Sequence, residues 1–259
     1  MPLSRRRFLT TAALASLGFP ALVRARNLNS RLQVVAVGCD GKGFDDIKEI
    51  GSHPAVRFVG FCDVDGGRFR HADAAYPDVP HHADFRAMYA QLGEGFDAAI
   101  VSTPDFWHSP HTVKCLEAGL HVYCEKMMAN TIDGARAMVR AMEKTGKLCQ
   151  IGHQRRSNPR YRYTLEQLIK GKGICGQIVN INGQWNRAVS SSQDIAFNPK
   201  LAIKPEILTR YGFKDMHQFM NWRTYRDLSG GPISDLGAHQ IDIFNWFLGV
   251  SPKSVFASG

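Results

Sequence analysis

Residues 32–43 read LQVVAVGCDGKG, an apolar, β-branched run that breaks into three glycines. Gln33 to Val37 is expected as a buried strand and Gly38, Gly41 and Gly43 as a tight turn. Phe44 to Ile50, with apolar residues at helical spacing, is expected as the helix that follows. Strand, glycine turn and helix in that order let the backbone approach a pyrophosphate closely, and the helix N-terminus presents free N–H groups to it. Compared with the dinucleotide fingerprint G-x-G-x-x-G, Asp40 stands where the middle glycine would be, and Lys42 lies inside the turn. A second apolar run, Val56 to Cys62, ends on Asp63, an acid placed to accept hydrogen bonds from ribose hydroxyls and to repel a 2′-phosphate. NAD is therefore expected over NADP, with Arg68 close enough to moderate the preference.

Outward from this turn the chain alternates. Gly67 to Tyr76 and Phe85 to Leu92 are expected as short helices, with His81 and His82 between them in a loop. Phe96 to Thr103 is a third buried strand, running into Pro104-Asp105-Phe106-Trp107-His108 and a helix from Pro110 to Ala118. Leu120 to Cys124 is a fourth, followed by Glu125-Lys126-Met127-Met128 and a helix over about 131–144. Leu148 to Gly152 is a fifth, followed by His153-Gln154-Arg155-Arg156. The alternation argues for an α/β fold with a doubly wound parallel sheet, whose ligand crevice lies at the carboxyl ends of the strands. Beyond Pro159, a helix is expected over Tyr161 to Lys170. Gln177 to Trp185 alternates apolar and polar residues like a half-exposed strand, pointing to an open, largely antiparallel sheet in a second α+β domain. Residues 232–249 read as a helix opened by Pro232 and closed by Gly249, placing Asp235, His239 and Asp242 on one face. An acid one turn before a histidine can orient the imidazole for proton transfer.

The chain has 259 residues, is 44% hydrophobic, and carries a formal charge of +9. Four of its arginines, Arg5, Arg6, Arg7 and Arg24, lie in the first twenty-five residues, which contain no acid; without them the charge is +5 and scattered, which argues against a nucleic-acid partner. Ser4-Arg5-Arg6-Arg7-Phe8-Leu9, the mild apolar run from Thr10 to Val23, and Val23-Arg24-Ala25 resemble a twin-arginine export signal over residues 1–25. The apolar run is too short and interrupted to span a bilayer. The expectation is therefore an extracytoplasmic, periplasmic location, reached folded through the twin-arginine translocation machinery, with a cofactor bound tightly enough not to dissociate. The six cysteines form no C-x-x-C pair, and neither a metal site nor a disulfide framework is expected.

Taken together, several motifs resemble the Gfo/Idh/MocA family of oxidoreductases. They are the glycine turn with Asp63, Thr103-Pro104 to His108, Glu125-Lys126, Gly152-His153-Gln154-Arg155-Arg156, and Gly230-Gly231-Pro232 through Asp235 to His239. The resemblance implies a dinucleotide-binding Rossmann domain over residues 31–153 and a substrate and oligomerisation domain over residues 154–259, partial here. It implies NAD as cofactor and a sugar, inositol or related polyol as substrate. It places Gly38, Asp40, Gly41, Lys42, Gly43, Asp63, Thr103, Pro104, Trp107, His108, Glu125, Lys126 and Gln154 around the cofactor. His239 would move the proton, Lys126 would polarise the substrate oxygen, and Asp235 would orient His239. Arg156, Trp222 and Arg223 are candidates for substrate contact.

Three departures from the family stand out: Met127 replaces the proline after the lysine, Asp40 puts a negative charge in the phosphate turn, and the chain stops at Gly259 within an expected strand from Ser254 to Ser258. Relatives usually continue with several more strands, so a truncated chain is expected. A homo-oligomer is compatible with the second domain. A redox-neutral glycosidase using tightly held NAD, and a truncated binding remnant without turnover, are the competing readings.

Overall fold

In a computed structural model, residues 31–93, 95–186 and 195–258 are described; the expected export segment lies outside them. The core is a six-stranded parallel sheet formed by β1 (Leu32–Val37), β2 (Val56–Cys62), β3 (His81–His82), β4 (Ala98–Val101), β5 (His121–Cys124) and β6 (Cys149–Ile151), in the spatial order β3-β2-β1-β4-β5-β6. Strand order reverses between β1 and β4, the pair at which a doubly wound sheet opens its crevice. The run VVAV explains why β1 lies in the middle. Val34 and Ala36 pack on one face with Ile47, Phe58, Phe61 and Ile100, while Val35 and Val37 pack on the other with Phe96, Leu116 and Met138. A strand apolar on both sides has helices over both.

The helices of this domain follow their local signals. α1 (Lys42–Gly51) begins after Gly41, α2 (Arg70–Ala75) continues a short 3₁₀ turn from Gly66 to Phe69, and α3 (Phe85–Leu92) is capped by the Asp84 side chain. α4 (Asp105–Glu117) begins five residues earlier than expected, because Pro110 is tolerated inside it. α5 (Ile132–Thr145) is capped by Thr131 and ends on Gly146 in the left-handed conformation. His81 and His82, expected in a loop, form the edge strand β3 beside Phe61 and Cys62.

Beyond β6 the chain is mainly helical. α6 (Pro159–Tyr163) runs into a π-helical stretch, Thr164–Gly171, and α7 (Pro205–Arg210) and α8 (Met216–Met220) follow. Leu208, Phe213, Met216, Trp222 and Leu228 form a small core of their own, into which Phe106 of the first domain packs. The expected strand from Gln177 to Trp185 is not formed: a strand needs a neighbour for its N–H and C=O groups, and no described segment supplies one. The same holds for residues 254–258. The expected single helix over 232–249 divides into a π-helical turn, Ile233–Gly237, and α9 (Ala238–Leu248), closed by Gly249 at φ 68°.

The glycine turn packs backbone directly on backbone. A Cβ on Gly43 would lie 2.2 Å from the Gly38 carbonyl oxygen, and one on Gly38, whose φ is 88°, would lie 2.5 Å from the Ser102 carbonyl oxygen. These contacts set α1 directly against the ends of β1 and β4. Gly43→Ala is therefore expected to destabilise the protein by ~1–3 kcal/mol through overpacking against rigid backbone. Gly66→Ala, where an added Cβ meets nothing within 4 Å, should stay within about 0.5 kcal/mol of the parent. Urea denaturation of the two variants checks the difference.

Candidate active site

A cleft of about 340 Å³ opens at the β1/β4 reversal, lined by Gly38, Asp40, Gly41, Lys42, Asp63, Arg68, Thr103, Pro104 and Trp107 from the first domain and by Tyr211, Trp222 and Arg223 from the second. Asp63, at the end of β2, holds the turn directly: its Oδ2 accepts from the Cys39 N–H at 3.0 Å and its Oδ1 from the Asp65 N–H at 3.1 Å. Burial pushes its carboxyl up to about 6, against the lowering effect of those two hydrogen bonds. Asp40, the anomalous acid of the turn, is partnered: Arg68 Nη1 donates to its Oδ2 at 2.9 Å, and Arg68 Nε donates to Asp65 Oδ2 at 3.1 Å. Burial alone would raise the Asp40 carboxyl, but the Gly41 N–H and the Arg68 guanidinium outweigh it and hold the carboxyl below its ordinary value. The guanidinium that sequence reading left open for a 2′-phosphate is thus engaged by two carboxylates.

Lys42 reaches back from the turn, pairing with the buried Asp46, which accepts from Ser102 Oγ at 2.7 Å, and lying 3.5 Å from Glu125 Oε1. Burial opposes charge on Lys42, but Asp46 and Glu125 outweigh it and raise its pKa. Glu125 is itself buried: it accepts from the Tyr123 hydroxyl at 3.0 Å and from the Lys126 N–H at 3.2 Å. It does not line the cleft and reaches the turn through Lys42.

Lys126, Asp235 and His239, the three predicted catalytic residues, do not line the cleft; the Lys126 ammonium donates to the backbone carbonyl of Asp235 and lies 3.1 Å from Asp235 Oδ1. Arg223 Nε lies 3.5 Å from Asp235 Oδ2, its guanidinium 4.3 Å above the Trp222 ring. The Lys126–Met127 peptide is cis. His239 is 6% exposed, and its ring stacks on Trp185 at 5.8 Å. Burial, then the charge of Lys126, lowers its pKa, which favours the neutral base at neutral pH.

Several predicted site residues stand differently from expectation. The Asp235 carboxylate holds Lys126 and Arg223 rather than His239, since two cations attract it more strongly than a buried neutral imidazole does. Asp242 is bound by Arg156, at 2.8 Å from Nη2 and 3.0 Å from Nε, so Arg156 serves as a strut between the loop after β6 and α9. His108 is 1% exposed, with both ring nitrogens on backbone carbonyls, and it cannot face the cleft. Gly43 packs on Gly38 behind the turn, and Gln154 is exposed in a 3₁₀ turn; neither lines the cleft. Sequence reading missed Asp105, a carboxylate 5% exposed at the start of α4, and the wall formed by Tyr211 and Phe213. Asp105 had a visible signal, an acid at the first position of a helix following a buried strand. The aromatic wall had none, because it depends on how the second segment folds back.

The glycine turn is a cradle that added Cβ atoms would fill, and its acid at the end of β2 meets the requirement for ribose, so these residues fit a dinucleotide. A family profile described as "Oxidoreductase family, NAD-binding Rossmann fold" matches residues 32–153, and one described as "GFO/IDH/MocA C-terminal domain" matches residues 206–259. Inositol 2-dehydrogenase 1 of Saccharopolyspora erythraea is 35% identical over 133 residues, which is 50% of this chain and 39% of that protein. The crystal structure of myo-inositol 2-dehydrogenase from Lactobacillus plantarum superposes with a TM-score of 0.63 at 22% identity, covering 85% of this chain and 57% of that one. That of the Bordetella pertussis WlbA dehydrogenase, in complex with NADH and UDP-GlcNAcA, superposes with a TM-score of 0.65 at 23% identity, covering 86% of this chain and 56% of that one. The two superpositions bear on the fold alone. The chain spans less than half the length of the curated relatives it matches.

The raised carboxyl of Asp63 makes stability depend on pH. An acid whose folded value lies above its ordinary 3.8 keeps its proton longer in the native state, so native protein binds more protons between about 4 and about 6. Stability from this group is present below that window and falls as pH rises through it. Wild-type protein should thus lose stability relative to Asp63→Asn between about pH 4 and 6, read by urea denaturation across pH; parallel curves would contradict the buried state of this carboxyl. With two profiles of one family matching in chain order on either side of the cleft, the chain belongs to the Gfo/Idh/MocA oxidoreductase family.

Proposed function

We propose that this chain supplies the catalytic apparatus of an NAD-dependent oxidoreductase acting on a hydroxyl carbon of a sugar, inositol or related polyol. The observation that carries the reading is the meeting of Lys126 with Asp235, whose second partner, Arg223, lines the cleft that contains the glycine turn. Bound there, the nicotinamide would accept or supply a hydride. Gly38, Gly41 and the α1 N-terminus would hold the pyrophosphate, and Asp63 would meet the adenosine ribose. With Arg68 occupied by Asp40 and Asp65, a 2′-phosphate would have to break two ion pairs to be neutralised, which supports NAD over NADP.

Lys126, held by Asp235, would hydrogen-bond the substrate oxygen and stabilise the negative charge that develops on it as the hydride departs. His239, kept neutral by burial and the nearby Lys126, would take the hydroxyl proton. Asp235 acts by fixing the ammonium in place. The inositol dehydrogenases among the relatives support a polyol substrate. The basic start of the chain, Arg5-Arg6-Arg7 before an apolar run, supports export through the twin-arginine machinery to the periplasm. An exported enzyme would need its cofactor bound tightly, since no nicotinamide pool exists there.

Screening inositols, sugars and uronates for nicotinamide reduction tests the reading. In the responding reaction, Lys126→Ala should lower kcat by about 10²- to 10⁴-fold with dinucleotide binding retained. The kcat/KM for alcohol oxidation should rise through a pKa below the ordinary histidine value of 6.5 and be flat at neutral pH, a limb that His239→Gln removes. Full turnover by Lys126→Ala would refute the assignment.

A further inference from the structure

His108 lies on α4, in the layer behind the cleft. Its Nδ1 is 2.6 Å from the Met127 carbonyl oxygen and its Nε2 is 2.7 Å from the Thr103 carbonyl oxygen. A carbonyl oxygen only accepts, whereas a neutral imidazole offers one N–H and one lone pair. Whichever tautomer a neutral ring took, a lone pair would face a carbonyl oxygen at hydrogen-bond distance. Both contacts are satisfied together only when both nitrogens carry protons.

We infer that His108 is an imidazolium in the folded protein and that, with Asp105 as its counter-charge, it positions the Lys126 loop against the cofactor-side end of β4. Thr103 forms part of the cleft wall and Met127 follows Lys126, so one ring ties the cofactor-facing strand end to the segment that presents the ammonium.

A buried cation needs an opposite charge. Asp105, three residues earlier on the same helix, is 5% exposed, and its Oδ2 accepts no hydrogen bond. Burial raises its pKa, and the charge of His108 is the strongest influence lowering it. The positive end of α4 disfavours a cation at this position, which makes the carboxylate's contribution necessary. The other titratable groups around the pair are His111 on α4, Lys126 after β5, and Asp235 and Arg223 from the second segment. His111 is pushed down to about 4, by burial first and then by His108, so it adds no competing charge at neutral pH. Lys126 and Asp235 pair with each other. His108 is too deeply buried to touch substrate or cofactor; it is a positioning residue, and its relevance to turnover rests on the reading of Lys126 above.

The test is nitrogen-15 NMR of the full chain labelled at its histidine rings, with His108 assigned by loss of its signals in His108→Gln. At about pH 7.5, where an ordinary histidine is mostly neutral, both His108 ring nitrogens should show directly bonded protons. Asp105→Asn should convert the ring at that pH to a neutral tautomer and move the Met127 or Thr103 carbonyl carbon resonance as one hydrogen bond is lost. A wild-type ring with one unprotonated nitrogen at that pH overturns the proposal. So does an Asp105→Asn ring that stays doubly protonated, because the counter-charge would then be elsewhere. If Asp105→Asn does not fold, the wild-type spectrum decides alone. None of these signals depends on a substrate, so an inactive chain carrying a doubly protonated His108 would count against the proposed activity and not against the clamp.

Discussion

The contact between Lys126 and Asp235 joins residues 109 positions apart in the chain and ties the end of the parallel sheet to the second segment. One partner is carried by the carboxyl end of β5 and the other by a π-helical turn just before α9. Lys126 is 14% exposed and Asp235 20% exposed, so neither charge is fully hydrated and each needs the other. The pairing brings the second segment over the cleft and fixes the position of the ammonium. His239, whose pKa is lowered by burial and then by the charge of Lys126, stays outside this pair.

A similar economy of charge governs the cofactor side. A negative side chain in a phosphate turn would repel a pyrophosphate, and Asp40 occupies the place where glycine is usual. The fold answers with Arg68, which bridges Asp40 and Asp65. Substituting the turn glycine has thus been accommodated by a residue from the next strand–helix connection, and the accommodation withdraws from service the cation best placed to welcome a 2′-phosphate. Beneath it, Lys42 links the turn to Asp46, Ser102 and Glu125, so the ends of β1, β4 and β5 are tied by ionic contacts as well as by the sheet.

Most of the first domain was legible in the sequence because its signals are local. Val56–Cys62 and Phe85–Leu92 fall where their patterns put them, and Gly38 and Gly43 stand where the backbone leaves no room for a Cβ. The glycine turn, Asp63, Thr103, Pro104 and Trp107 were found because a strand end followed by a helix start is written in consecutive residues. What spacing could not supply was partner choice. Asp235 and His239 sit at the right interval for an ion pair, yet Lys126 and Arg223 claim the carboxylate, and both come from elsewhere in the chain. His108 followed a cofactor-binding motif, but its burial depends on the packing of α4 against the Met127 loop. The stretch from Gln177 to Trp185 alternates as a strand does, but alternation specifies a face and not a neighbour.

Every role proposed for these residues depends on whether the cleft at the β1/β4 reversal holds NAD. The most direct measurement is to purify the full chain, denature it, and quantify the released dinucleotide by absorbance and mass spectrometry. Near-stoichiometric NAD(H), with little NADP(H), is the predicted result. Folded, soluble protein that releases no dinucleotide and takes up neither form when it is added would contradict it, as would protein that carries NADP(H) instead.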